Sequence, residues 1–126
     1  MNMQFYYCNK CNLFVAKEEK ENIPITCSCG EMQRLTANST EAATEKHLPK
    51  VTINKKDVKV EVGEILHPML ELHYINNIVL VTNKGYINFA LKPNEQPIVN
   101  YTLKRCEKLL EVYSFCNLHG LWVTKL

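Results

Sequence analysis

Apolar and polar residues alternate with a period of two through most of the chain from Val51 onward, and that period predicts strands. Val58-Lys59-Val60-Glu61-Val62 is the cleanest case, with a valine at every second position and a charge between, as a strand with one buried face requires. Ile75 to Thr82 holds the mostly β-branched run Ile78-Val79-Leu80-Val81. Tyr86 to Leu91, Leu109 to Cys116 and Trp122 to Leu126 read as further strands. Asn83-Lys84-Gly85 is a turn signal between two of them, and Pro93 and Pro97 mark a loop. No long amphipathic helical period occurs. Many short strands at such spacing predict an all-β sandwich or barrel.

Residues 1–36 are patterned differently. Gln4 to Tyr7 and Leu13-Phe14-Val15 are short strand candidates on either side of Cys8-x2-Cys11. The polar stretch Lys17 to Asn22 reads as a turn, and Thr26-Cys27-Ser28-Cys29-Gly30 follows. So short a segment cannot bury an adequate core, so a metal has to supply much of its folding energy. Residues 37–46 read as a linker ending in a short helical turn. Ser39 or Thr40 can cap that turn, Ala42 and Ala43 favour it, and Pro49 stops it soon after. The expected organisation is a small module at 1–36 and a compact domain at 37–126.

Composition narrows the function classes. The chain has 126 residues, 46% apolar and 22% charged, which is globular. No apolar run approaches the ~20 residues of a membrane span. The start, Met1-Asn2-Met3-Gln4-Phe5, lacks the basic and apolar regions of a secretion signal. Six cysteines without such a signal point to a reducing, cytoplasmic setting, where paired cysteines hold metal more often than they form disulfides. A net charge of +2 is too small to argue for nucleic acid. Lys46, Lys50, Lys55, Lys56 and Lys59 lie close together in the sequence. A mild positive field there would help an anionic substrate arrive, although all but Lys46 read equally well as solvated strand surface.

The ligand-type residues carry the chemistry. Cys8-x2-Cys11-x15-Cys27-x-Cys29 is four thiols at tetrahedral metal-site spacing. All four histidines fall in short motifs: Glu45-Lys46-His47-Leu48-Pro49, His67-Pro68-Met69, Glu71-Leu72-His73-Tyr74 and Cys116-Asn117-Leu118-His119-Gly120. A single histidine near a strand end is usually an ordinary surface or core residue. Four of them can be gathered with Cys116 into one site, and four imidazoles plus a thiolate suit iron better than a structural zinc. Five protein ligands leave a sixth position open for a small oxygen species. Cys106 stands outside every motif and is expected to be a small buried or half-buried residue.

These motifs, in this order over roughly residues 37–126, resemble the superoxide reductases, also called neelaredoxins and desulfoferrodoxins. Phe5-Tyr6-Tyr7-Cys8-x2-Cys11 resembles the desulforedoxin-like extension of the two-iron members. The resemblance implies an immunoglobulin-like β-sandwich for 37–126. It implies that His47, His67, His73 and His119 hold a non-haem iron equatorially, with Cys116 as axial thiolate and the opposite position open. Superoxide would take one electron and two protons there and leave as hydrogen peroxide, without dioxygen being made. Backbone N–H groups of Leu118 and His119 are natural donors to the Cys116 sulfur. By the same resemblance, Lys46 guides the anion and helps deliver a proton, and Glu45 occupies the sixth position in the resting ferric state. The expected electron donor is rubredoxin or a similar reductant, and the expected assembly is a homodimer held partly by the N-terminal module.

One departure from the family pattern stands out. Its last two N-terminal cysteines are usually adjacent, whereas Ser28 separates Cys27 from Cys29 here. A more regular tetrahedral site becomes possible, with iron first and zinc second as its metal. Other functions remain open at this point. An electron-transfer or redox-sensing iron protein would rest on the four cysteines alone. A zinc-stabilised binding module leaves the four histidines and Cys116 unexplained. A superoxide dismutase would need a ferric state that oxidises superoxide, which a donating thiolate disfavours.

Overall fold

The computed structural model describes residues 2–39 and 44–126. Thr40, Ala42 and Ala43, expected to cap or favour the helical turn, lie outside the described residues. Two compact units form, Met1–Thr36 and Ala37–Leu126.

The smaller unit contains β1 (Met3–Cys8), β2 (Leu13–Glu18), β3 (Thr26–Cys27), β4 (Gly30–Glu31) and β5 (Gln33–Arg34). β1 lies between β2 and β5, and β3 pairs with β4 as a hairpin. Tyr6, Cys8 and Met32 are buried together, with Val15, Ile25 and Cys27 packed on them. Lys17 and Glu18, expected in a turn, belong to β2 instead, because the ladder runs on through the pairs Gln4–Lys17 and Met3–Glu18.

The larger unit opens with α1 (Thr44–His47). It continues with β6 (Pro49–Asn54), β7 (Asp57–Val62), β8 (Ile75–Thr82), β9 (Gly85–Ala90), β10 (Ile98–Thr102), β11 (Leu109–Cys116) and β12 (Gly120–Lys125). Two antiparallel sheets form, in the orders β10-β7-β6 and β12-β11-β8-β9. Val58, Val60, Val62 and Val99 of one sheet share a core with Ile75, Ile78, Leu80 and Val112 of the other. The result is the all-β sandwich that the alternation predicts. On β7 the three valines are buried and Asp57 and Lys59 are exposed. β8 does not alternate because every one of its residues is buried. β10 was not anticipated. Pro97 directly before it is a loop signal, yet a strand can begin after a proline at a sheet edge, and among the described residues β10 pairs with β7 alone.

The registers put opposite chemistry at the two ends of the sandwich. Pro49 pairs with Val62 and Ile75 with Cys116, so β6 and β8 begin where β7 and β11 end. The Ser114 hydroxyl donates to the His47 carbonyl at 2.8 Å, fixing the end of α1 on β11, and that of Thr124 donates to the Pro49 carbonyl at 2.7 Å, tying the two sheets together at that end. The β6–β7 turn at Lys55 and Lys56 lies at the other end, about 20 Å along a six-residue strand. That separation exceeds the screening length of ~8–10 Å, so these two lysines cannot steer an anion to the histidine end. Cys106 is exposed rather than buried. It sits at φ 60° in a tight turn whose backbone is held by Asn83 Nδ2 donating to the Cys106 carbonyl at 3.2 Å, which leaves the thiol outside.

Candidate metal centre

The candidate ligands come from the end of α1, the end of β11 and the loops that join strands. Cys116 closes β11 and pairs with Gly120, so Asn117-Leu118-His119 is a three-residue hairpin loop. Gly120 has φ 82°, the left-handed position that such loops reserve for glycine. One hairpin therefore delivers both a thiol and an imidazole. His67 and His73 come from the segment between β7 and β8. His47 ends α1, and its ring stacks on Trp122 at 5.0 Å between centroids and 21° between planes. The Trp122 indole N–H donates in turn to the His119 carbonyl at 3.1 Å.

The four rings form a closed circuit. Centroid distances are 4.7 Å for His47–His67, 4.8 Å for His67–His73, 5.1 Å for His73–His119 and 4.8 Å for His119–His47, each pair edge to face. One donor atom from each of His47, His67, His73, His119 and Cys116 lies within 4.8 Å of all the others. His47 Nε2 is 3.1 Å from both His67 Nε2 and His119 Nδ1. Metal–nitrogen bonds of about 2.1 Å at right angles put neighbouring nitrogens about 3.0 Å apart. The donors fit a cation in a second way. His67 Nδ1–H donates to the Pro68 carbonyl at 2.7 Å, which leaves a bare lone pair on Nε2 of the neutral ring. His73 Nε2 is buried without a hydrogen-bond partner among the described residues. Converging lone pairs and a buried orphan nitrogen are costly unless a cation lies between them.

Burial sets the protonation states. Desolvation pushes His67 down to about 4, against the opposing pull of the Pro68 carbonyl, and the neighbouring imidazoles lower it further. Burial also lowers His73, reinforced by His119 and His47. Both rings are therefore neutral near pH 7, the form that binds metal. Burial raises the Cys116 thiol, while hydrogen bonds from the backbone N–H groups of Leu118 and His119 work in the other direction. Those two donors stabilise a thiolate and temper its basicity once a cation is present.

Glu45 and Lys46 lie on α1, both exposed and outside the donor cluster. Their backbone is anchored: the Glu45 carbonyl accepts from the Glu64 N–H at 2.8 Å. Sequence reasoning did not single out the Pro68 carbonyl or the stacking of Trp122. Trp122 was visible in the run His119-Gly120-Leu121-Trp122, whereas nothing in a sequence marks a backbone carbonyl.

In the smaller unit, the sulfurs of Cys8, Cys11, Cys27 and Cys29 also lie within 4.8 Å of one another, and all are free thiols. Cys11 Sγ and Cys27 Sγ are 3.9 Å apart, close to the ~3.8 Å edge of a tetrahedron with bonds of ~2.3 Å. Backbone N–H groups of Cys11 and then Lys10 pull the Cys8 thiol down to about 6. The Cys29 N–H donates to Cys27 Sγ at 3.4 Å across Ser28. Four sulfurs at these separations suit a four-coordinate iron or zinc.

An all-β sandwich with a histidine–thiol centre at one end, in a chain that also carries a four-cysteine unit, defines a narrow class. Residues 39–125 match the family model for desulfoferrodoxin. A desulfoferrodoxin of Clostridium acetobutylicum is 37% identical over 98 residues, covering 78% of this chain and 76% of that one. The superoxide reductase of Treponema pallidum superposes with a TM-score of 0.86 over 99% of this chain and 100% of its own, at 31% identity. The superoxide reductase (1Fe-SOR) of Giardia intestinalis is matched over 97% of its length by 65% of this chain, with a TM-score of 0.54 and 27% identity. The chain belongs to the desulfoferrodoxin family. No helix among the described residues is long and apolar enough to cross a membrane.

Proposed function

We propose that this chain is a superoxide reductase, converting superoxide to hydrogen peroxide by one electron and two protons without releasing dioxygen. The closed circuit of four imidazoles with the Cys116 thiol beside it carries the reading. The likeness to the superoxide reductase of Treponema pallidum over nearly the whole of both chains supports it. His47, His67, His73, His119 and Cys116 would hold a non-haem iron, the metal that accepts five such donors and keeps a position for substrate. Iron bound there would supply the single electron that superoxide takes.

The chain's own residues do the rest. Neutral His67 and His73 bind without bringing positive charge into the buried site. The Cys116 thiolate donates electron density, tempered by the Leu118 and His119 N–H groups. Lys46, next to His47 in sequence, would draw the anion in and hand on a proton, and Glu45 would be a further ligand to the resting ferric metal. We assign catalysis to residues 37–126 and a desulforedoxin-like metal site to residues 1–36. A match of only 65% of this chain to nearly all of the Giardia protein supports a catalytic unit smaller than the whole. Iron is the first choice for the four cysteines and zinc the second. A cytoplasmic setting, a homodimer and a rubredoxin-like donor complete the proposal.

The test is a stoichiometry. Iron-loaded, reduced protein should consume superoxide from a radiolysis pulse and yield one hydrogen peroxide per superoxide, with no dioxygen. Dioxygen from half of the superoxide would make it a dismutase instead.

A further inference from the structure

Three of the four imidazoles have visible support for the ring or for the backbone that bears it. His67 is fixed by the Pro68 carbonyl, His47 by the Trp122 face, and the His119 backbone by the Trp122 N–H. His73 differs. Among the described residues its Nε2 has no hydrogen-bond partner and its ring touches the rings of His67 and His119. Its backbone forms a tight turn, with Leu70 and His73 exchanging both N–H to carbonyl bonds at 2.9 and 3.1 Å. That turn is a small piece of irregular chain between two sheets. Among the described residues, Asn117 links it to the hairpin that carries Cys116 and His119.

We infer that Asn117 is the positioning residue for His73. Its Oδ1 accepts from the Tyr74 N–H at 3.0 Å, and its Nδ2 donates to the Leu72 carbonyl at 3.0 Å. The two bonds grip the backbone immediately before and after His73. The partners also fix the amide's orientation, since an N–H can only donate and a carbonyl can only accept. A third bond, from the Asn117 N–H to the Tyr74 carbonyl at 3.3 Å, completes the clamp. Asn117 itself stands between Cys116 and His119 in the hairpin loop. One asparagine thus sets the distance between the ligand pair of one loop and the lone ligand of another. Aspartate would keep the acceptor and lose the donor, serine would be too short to span both groups, and alanine would lose both bonds. The inference rests on the metal-centre reading of His47, His67, His73, His119 and Cys116.

The experiment compares full-length wild type, Asn117→Ala, Asn117→Asp and Asn83→Ala. Asn83 is a matched control, because its amide clamps a turn at the far end of the sandwich, bonding the Lys108 N–H at 2.8 Å and the Cys106 carbonyl at 3.2 Å. Each protein is loaded with Fe(II), and iron at the histidine site is titrated against a chelator. Metal at the four cysteines in the same molecule serves as the internal reference. Removing a group that orients a ligand typically weakens metal binding 10–100-fold. Asn117→Ala should fall in that range and shift the ferric thiolate band, with Asn117→Asp in between. Asn83→Ala should lower the melting temperature with the histidine-site affinity unchanged. Should Asn117→Ala fail to fold, Asn117→Asp decides alone. Wild-type affinity and an unshifted band in the variant that folds would overturn the inference. No metal at the histidine site of wild type would overturn the underlying reading instead.

Discussion

Gly63→Ala would test how Lys46 is held beside the centre. A Cβ built on Gly63 runs into the Glu45 carbonyl oxygen and stands 2.7 Å from Lys46 C and 2.8 Å from Lys46 Cα. Comfortable carbon–carbon contact begins at about 3.5 Å, so the Lys46 backbone must recede by about 0.8 Å and the Glu45 oxygen by more. No rotamer can relieve this, because every atom involved is main chain. The same Glu45 carbonyl accepts the Glu64 N–H at 2.8 Å, and that bond would stretch or break. Overpacking of this kind costs ~1–3 kcal/mol and a lost hydrogen bond ~0.5–1.5 kcal/mol. The stiffer unfolded chain returns at most about 1 kcal/mol. A net loss of roughly 2 kcal/mol lowers the melting temperature by about 10 °C in a domain of this size. His47 should stay in place, since Ser114 grips its carbonyl and Trp122 its ring. Lys46 moves, and displacements near 1 Å can cost up to ~100-fold in rate. Calorimetry and pulse radiolysis on the iron-loaded variant give both quantities. A variant with wild-type melting temperature and wild-type capture rate would refute the packing argument.

Other perturbations address separate parts of the reading. Cys116→Ser should abolish the thiolate-to-iron charge-transfer band and nearly all superoxide reduction, whereas Cys8→Ser should spare the reaction; loss of catalysis in Cys8→Ser with iron still at the histidine site would contradict the division of labour. Lys46→Ala should slow superoxide capture several-fold at low salt, and the deficit should shrink as ionic strength passes ~0.1 M and screening sets in. Glu45→Ala should leave capture intact and open the ferric site to added azide, read as a spectral shift. The metal-free protein should lose stability on acidification. His67 has a folded-state pKa of about 4, below the unfolded ~6.5, so the unfolded chain binds more protons between those values. Stability is full above pH ~6.5 and declines as pH falls to about 4, by roughly 3 kcal/mol for this group at ~1.4 kcal/mol per unit. Urea midpoints of metal-free protein from pH 7 to 4 should show that slope, and His67→Gln should flatten it.

The residues nameable from sequence share a physical trait: each is selected by a one-body requirement. Metal chemistry accepts few side-chain types, so His47, His67, His73, His119, Cys116 and the four N-terminal cysteines could be named from short motifs. A buried sheet face demands alternation, so Val58, Val60 and Val62 announced β7. What stayed hidden depends on pairs of positions that only the fold brings together. The edge strand β10 follows Pro97, and its pairing depends on β7, about 40 residues earlier in the chain. The exposure of Cys106 follows from a turn stitched to Asn83, a neighbour in space and not in sequence. The Pro68 carbonyl beside His67 and the Glu45–Lys46 backbone against Gly63 are main-chain contacts with no compositional signature. The same division holds within the centre itself. Its ligands are written in residue types, while the groups that aim those ligands are written in geometry. Asn117 is on both sides of that line, an unremarkable asparagine in the sequence and a two-bond clamp across His73 in the fold.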